Sequence, residues 1–212
     1  MASLRINVTS KDPNKVGRIF TAKVVELGLA NYPGFFGKTI PGSGAPFILY
    51  WPALIQSKHV KETLHMDEKT VPIIPTNQLG LDQVSYQTEQ PTIPQLVSKD
   101  YKQIHFGRIY GTRSGDKGGC ANLGVWAKTD RAFEFLYHFL TVDRLKQLLP
   151  DMAQFPIDRY ELANIKSLNF YVHGILQDGV SSSTRMDAQA KSLGEYLRAK
   201  LIDVPVEIIE EL

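Results

Sequence analysis

The sequence predicts an α+β fold, in which helices cover a β-sheet and a smaller α/β segment precedes them. The 212 residues, 43% hydrophobic and 22% charged, can bury the core of one large domain or two small ones. In the second half, short alternating runs typical of strands are separated by amphipathic runs typical of helices. Two helices over a sheet of about four strands form an α+β sandwich.

The first half is predicted to form strands and one helix. Asp12 followed by Pro13 is typical of a helix start, and apolar residues then recur at helical spacing as far as Leu27. The strands of this half are predicted at residues 4–8, 47–51 and 59–66.

Residues 71–98 carry four prolines among Thr, Gln and Asn and show little periodicity. Connections longer than about 15 residues usually have a function of their own or act as linkers. We therefore predict an N-terminal segment over residues 1–98, with this connection from about residue 71, and a second domain over residues 99–212.

The second half has a clearer pattern of elements. Its strands are predicted at residues 103–112, 122–128, 159–162 and 167–176, with a short edge strand at 204–209. Its helices are predicted from Thr129 or Asp130, around residues 145–149, and from Ser183 or Thr184 to Leu201.

Charge and cysteine content exclude several function classes. The net charge is +2 and neither half of the chain is strongly basic, so a dedicated nucleic-acid binder is not expected. Cys120 is the only cysteine, which excludes an internal disulfide and predicts a cytoplasmic protein. The uncharged run 39–57 contains three prolines, so no membrane span is predicted. We also predict no metal site and no cofactor.

The segment 112–122 is the most informative part of the sequence for function. Three glycines within five positions let backbone N–H groups converge, and Arg113 and Lys117 add positive charge, as in an anion-binding nest. It is not a Walker loop, because Gly118 follows Lys117. The alternative is a tight hairpin whose charges face water. The predicted ligand-binding residues here are Arg113, Ser114, Gly115, Asp116, Lys117, Gly118, Gly119 and Asn122.

A second candidate site is the predicted helix start at Ser183, where Arg185 and backbone N–H groups could hold a carboxylate or phosphate. The alternative is that Ser183 or Thr184 simply caps the helix. We expect the segment 113–122 to lie at the mouth of a pocket that faces this helix start. Cys120 is interpreted as inert and His173 as structural, because no activating partner is visible in the sequence.

The strings at residues 113–118 and 121–125 resemble the signature of the C-terminal region of the acyclic terpene utilisation (AtuA) family. Similar strings occur at residues 159–162, 168–170 and 179–191 and, in the first half, at residues 23–35 and 50–52. The resemblance implies a ferredoxin-like sandwich, an antiparallel sheet with two helices, over about residues 100–203.

The resemblance also implies a role in the breakdown of acyclic isoprenoid or branched acids, as coenzyme A thioesters. It supplies no catalytic residues. Members of the family are usually longer, so the chain is expected to be a subunit or a stand-alone member that forms a homo- or hetero-oligomer. Two function classes follow. One is binding of an acyl-CoA or carboxylate ligand, and the other is non-catalytic docking on a larger AtuA-type protein subunit.

Overall fold

The computed structural model describes residues 3–30, 32–39, 42–73 and 92–211. The helices are α1 (Pro13–Val16), α2 (Arg18–Leu27), α3 (Asp130–Phe139), α4 (Val142–Leu148), α5 (Leu193–Arg198) and α6 (Val206–Glu210). The strands are β1 (Glu62–Met66), β2 (Lys69–Ile73), β3 (Tyr101–His105), β4 (Gly111–Lys117), β5 (Cys120–Trp126), β6 (Ile157–Leu162), β7 (Ser167–Val172) and β8 (Leu201–Pro205).

Residues 3–73 form α1, α2 and the β1–β2 hairpin, and none of their described residues is buried. The predicted helix start is confirmed, since the Asp12 carboxylate accepts a hydrogen bond from the backbone N–H of Asn14. The strands predicted at residues 4–8 and 47–51 are wrong. Both stretches are irregular and exposed, and no strand of the described residues pairs with them.

The predicted connection between the two parts is described only at its ends. Residues 71–73 belong to β2, and residues 74–91 lie outside the described part of the chain. Residues 92–98 are irregular, and Ile93 and Leu96 pack against the core that follows. The division of the chain near residue 98 therefore stays a prediction.

The second half is built on a four-stranded antiparallel sheet with the order β4-β5-β7-β6. The chain runs from β5 through α3 and α4 to β6, which is parallel to β5 but not adjacent to it. Strand β7 lies between them and pairs antiparallel with both. This is the split βαβ arrangement of ferredoxin-like folds, so the predicted α+β class is confirmed. β4 occupies the edge beside β5, and β8 pairs instead with β3 in a separate two-stranded sheet.

The core lies between the four-stranded sheet and the helices. Alternate residues of the two central strands are fully buried and share one face, namely Ala121, Leu123, Val125, Leu168, Phe170 and Val172. The helix layer meets them through buried residues such as Leu136 and Leu197. Thr129 caps α3 as predicted, its hydroxyl accepting from the N–H of Ala132. On the opposite face of the sheet, residues of the central strands such as Asn122 and Asn169 are half-buried, and we call this side the open face.

The strand predicted over residues 103–112 is divided in two by a 3-10 turn, Phe106–Arg108. The division has a packing reason, because the rings of Phe106 and Tyr110 are both buried and lie 4.8 Å apart. The edge strand predicted at residues 204–209 ends at Pro205, where α6 follows.

The long final helix predicted from Ser183 is wrong. Residues 177–192 form turns, and α5 begins only at Leu193. The Asp187 carboxylate accepts hydrogen bonds from the N–H groups of Lys191 and Ser192, which satisfies these donors outside a helix. Gln177 and Ala190 have positive φ angles, which α-helical backbone excludes.

Among the described residues, no helix combines the length and the apolar character that crossing a membrane requires.

Candidate functional site

The register of β4 against β5 divides the predicted anion-binding segment between two faces of the sheet. Residues directly opposite one another in an antiparallel pair point to the same face. Thr112, Ser114 and Asp116 pair with Val125, Leu123 and Ala121, which face the helix layer. Arg113, Gly115 and Lys117 pair with Gly124, Asn122 and Cys120 on the open face. Residues 113–117 are therefore strand rather than turn.

Ser114 holds the loop before α5 against the sheet. Its hydroxyl donates to the carbonyl of Lys191 at 3.2 Å and accepts from the N–H of Gly194 at 3.0 Å. Gly194 fits closely, since a Cβ there would lie 2.7 Å from the Thr112 hydroxyl oxygen. Ser114 is 8% exposed and therefore acts from inside the domain, as a support for this loop.

The Lys191 side chain reaches the open face of the sheet. A Cβ added to Gly115 would lie 3.2 Å from Lys191 Nζ and 3.9 Å from Asn122 Oδ1. Gly115 thus leaves room for an ammonium group beside Asn122. The two N–H groups bound by Asp187, at 2.9 Å each, fix the backbone from which this side chain extends.

Two cationic residues flank Gly115 on β4, and the Lys191 ammonium group lies beside it. Arg113 and Lys117 lie two positions before and after it on the same face of β4, about 7 Å away along the strand. In the described part of the chain, neither they nor Lys191 have an ion pair or a side-chain hydrogen bond. Uncompensated charges of one sign create a local positive potential. We call Arg113, Lys117 and Lys191 around Gly115 the cationic face.

Amide groups border the cationic face. Asn122 lies opposite Gly115, and its Nδ2 donates to Asn169 Oδ1 at 3.4 Å. The second N–H of the Asn122 side-chain amide and its oxygen Oδ1 have no protein partner among the described residues, so both can contact a ligand. Asp116 lies on the opposite face from these groups.

The two remaining glycines of the segment form the β4–β5 turn. Gly118 has a φ of +61°, and a positive φ at the first of two turn residues is typical of a type II′ hairpin. A Cβ on Gly119 would lie 2.1 Å from the carbonyl oxygen of Gln177. The predicted alternative, a tight hairpin, accounts for both glycines.

Ser183 and Arg185 do not form a helix start, so the helix predicted at the second site is wrong. The Ser183 hydroxyl accepts from the N–H of Arg185 at 3.4 Å, within a turn. The Arg185 guanidinium pairs with the Asp151 carboxylate at 2.9 Å, and this carboxylate offsets its charge. The pocket expected between residues 113–122 and this helix start therefore lacks the helix that would supply its N–H donors.

His173 has a partner that the sequence did not reveal. Its Nε2 lies 2.8 Å from Asp158 Oδ2, and its ring packs edge-on against Tyr171.

A hydrogen bond between the Tyr171 hydroxyl and the Cys120 thiol, together with burial, raises the pKa of Tyr171 above its usual value. The Cys120 sulfur also accepts from the N–H of Gly174 at 3.4 Å. No group of three or more metal-ligating side chains occurs among the described residues.

Two family models match the chain. Residues 1–66 match the acyclic terpene utilisation family protein AtuA, and residues 104–203 match the AtuA ferredoxin-like domain. No curated protein and no solved structure is detectably similar to the chain. The two matches cover most of the sequence, and the second coincides with the domain that carries the cationic face. The chain therefore belongs to the acyclic terpene utilisation (AtuA) family, and this membership indicates a role in acyclic terpene utilisation.

Proposed function

We propose that the chain is a subunit or stand-alone member of an AtuA-type system and binds the anionic group of an acyclic isoprenoid or branched acyl metabolite. The observation that carries the proposal is the cationic face. Arg113 and Lys117 flank Gly115 on one face of β4, Lys191 Nζ lies beside that glycine, and none of the three has an ion pair in the described residues. Uncompensated cationic groups attract an anion and can donate charge-assisted hydrogen bonds to it.

The side chains of this face have different roles in binding, which follow from their chemistry. The Arg113 guanidinium can donate two parallel hydrogen bonds to a carboxylate or phosphate, whereas Lys117 and Lys191 act as point charges. Asn122 adds a neutral donor. Gly124, which carries no side chain and is half-buried, lets the ligand approach the strand backbone.

The same face offers apolar area for an acyl chain. Tyr160 and Leu162 face outward from the open side of β6, and each is at least 40% exposed. An acyl chain laid across them would remove apolar surface from water, which is favourable by about 25 cal/mol per Å². The face therefore combines an anion site with adjacent apolar surface.

Lys117→Ala is expected to weaken binding of an acyclic terpenoid carboxylate or its coenzyme A thioester by about 1–3 kcal/mol, as for a lost charge-assisted hydrogen bond. The melting temperature should change little, since Lys117 is exposed and has no partner among the described residues. Isothermal titration calorimetry on the full chain measures the binding. Lys102→Ala is the matched control, because Lys102 is an exposed strand lysine of the other sheet.

Two results would contradict this proposal. One is equal affinity in the parent protein, Lys117→Ala and Lys102→Ala. The other is an absence of binding by the parent protein to free carboxylate, phosphate and thioester alike.

A second candidate function is docking on a larger AtuA-type protein. The observation that favours it is the N-terminal part, whose large apolar side chains are exposed, Trp51 to 87% for example. Apolar surface on this scale is typical of interaction sites. A protein partner would bury it, whereas a small anion would not.

The docking candidate predicts that the chain and a purified, longer AtuA-family protein elute together in gel filtration. Serine at both Trp51 and Leu54 should abolish this co-elution, because both side chains are almost fully exposed. Ile165→Ser is the control, since Ile165 is an exposed apolar residue of the C-terminal domain. Separate elution of the unmodified proteins, or equal loss in the control, would refute docking through this region.

A further inference from the structure

Two adjoining cavities lie where β4 begins and β5 ends. One, of about 210 Å³, is lined by residues that include Gly111, Trp126 and Lys128. The other, of about 290 Å³, is lined by residues that include His105 and Glu195. Ligand pockets commonly measure about 300–1,000 Å³. The cavities are shallow and open to solvent, and they share Gly107, Arg108 and Arg198, so one ligand could contact both.

An indole ring lies beside the first cavity. A Cβ added to Gly111 would lie 2.2 Å from Trp126 Cε2, so the ring fills the space above this glycine. Trp126 nonetheless remains 41% exposed. A partly exposed indole fixed on a strand is a preorganised surface for stacking an aromatic group.

The walls of the two cavities are cationic. Arg108, Lys128 and Arg198 all line them, and Glu195 is the acidic residue among the lining side chains. Glu195 pairs with Arg198 at 3.4 Å. Within the described chain, Arg108 and Lys128 have no ion pair, so two positive charges remain for a ligand. An aromatic surface beside unpaired cations fits a ligand that is both aromatic and anionic.

We propose that these cavities bind a nucleotide, with its base on Trp126 and its phosphates at Arg108 and Lys128. The inference deepens the proposed function and rests on it in one respect, namely that the acyl ligand is a coenzyme A thioester. A coenzyme A thioester carries a nucleotide at one end and an acyl group at the other. Trp126 and Gly124 are two positions apart on one face of β5, and Gly124 pairs with Arg113, so the indole that lines the first cavity lies on the same side of the sheet as the cationic face.

The probe is adenosine 3′,5′-bisphosphate, added to the full chain with Trp51→Phe. This change leaves Trp126 as the only tryptophan, because the sequence has two. Stacking of the base should quench its fluorescence. The bisphosphate should bind at least about tenfold more tightly than adenosine, which lacks the charge, or pyrophosphate, which lacks the base.

In the same background, Arg108→Ala should weaken binding of the bisphosphate by at least about tenfold. Lys102→Ala should leave it unchanged. Unaltered binding in Arg108→Ala, equal binding of all three probes, or an absence of quenching would each overturn the nucleotide site.

Failure of the nucleotide site and failure of the proposed function give different results. Lys117→Ala should retain binding of the bisphosphate and lose binding of a terpenoid carboxylate. If the bisphosphate binds and no carboxylate does, the nucleotide site stands and the anion site on the cationic face falls. If only the carboxylate binds, the anion site on the cationic face stands and the nucleotide site falls.

Discussion

Gly119→Ala is expected to destabilise the C-terminal domain by about 3 kcal/mol, at the upper end of the cost of overpacking. The new Cβ would lie 2.1 Å from the carbonyl oxygen of Gln177, a backbone atom that cannot rotate away. The segment is also fixed by the hydrogen bond from the N–H of Leu176 to the carbonyl of Gly119 at 2.9 Å. Urea unfolding monitored by circular dichroism measures the loss.

Gly118→Asn is the matched control for this turn. Gly118 has a φ of +61°, which Asn adopts more readily than other residues with side chains, and no atom of the described residues lies within 4 Å of an added Cβ. We expect it to cost less than about 1 kcal/mol. Equal losses in the two variants would contradict the close contact with Gln177 as the cause of the Gly119 effect.

Phe170→Ala is expected to lower the free energy of unfolding by about 3–5 kcal/mol. Phe170 lies on the central strand β7, opposite Leu123, and its side chain is fully buried between the sheet and the helices. Truncating Phe170 to alanine removes apolar contacts and leaves a cavity between the sheet and the helix layer. Differential scanning calorimetry and urea unfolding both measure the change.

Ile165→Ala is the control for the Phe170 variant, because Ile165 is 60% exposed and lies in the turn between β6 and β7. It should change the free energy of unfolding by less than about 0.5 kcal/mol. A loss below about 1.5 kcal/mol in Phe170→Ala would indicate that the core around β7 rearranges to fill the space.

The sequence predicted those elements whose signals are local. Asp12 and Thr129 cap helices through hydrogen bonds to residues two and three positions ahead, so short sequence windows contain both partners. The central strand β5 alternates between buried and open positions, and its period of two is visible without its neighbours.

The predictions that failed depend on distant residues. The run 47–51 has the composition of a buried strand, but it has no neighbour to pair with in the described chain. Lys191 was missed as a site residue because its proximity to Gly115 arises from a contact between segments more than 70 residues apart. Sequence spacing also does not reveal which face of β4 is buried. In the structure, Ser114 points inward and Arg113 points outward.

The pairing of β3 with β8 joins the start and the finish of the chain that builds the four-stranded sheet and its helices. Tyr101, the first residue of β3, lies opposite Pro205, the last residue of β8, and directly paired residues have Cα atoms about 5 Å apart. Neither strand can therefore separate from the domain without leaving the backbone groups of the other unpaired.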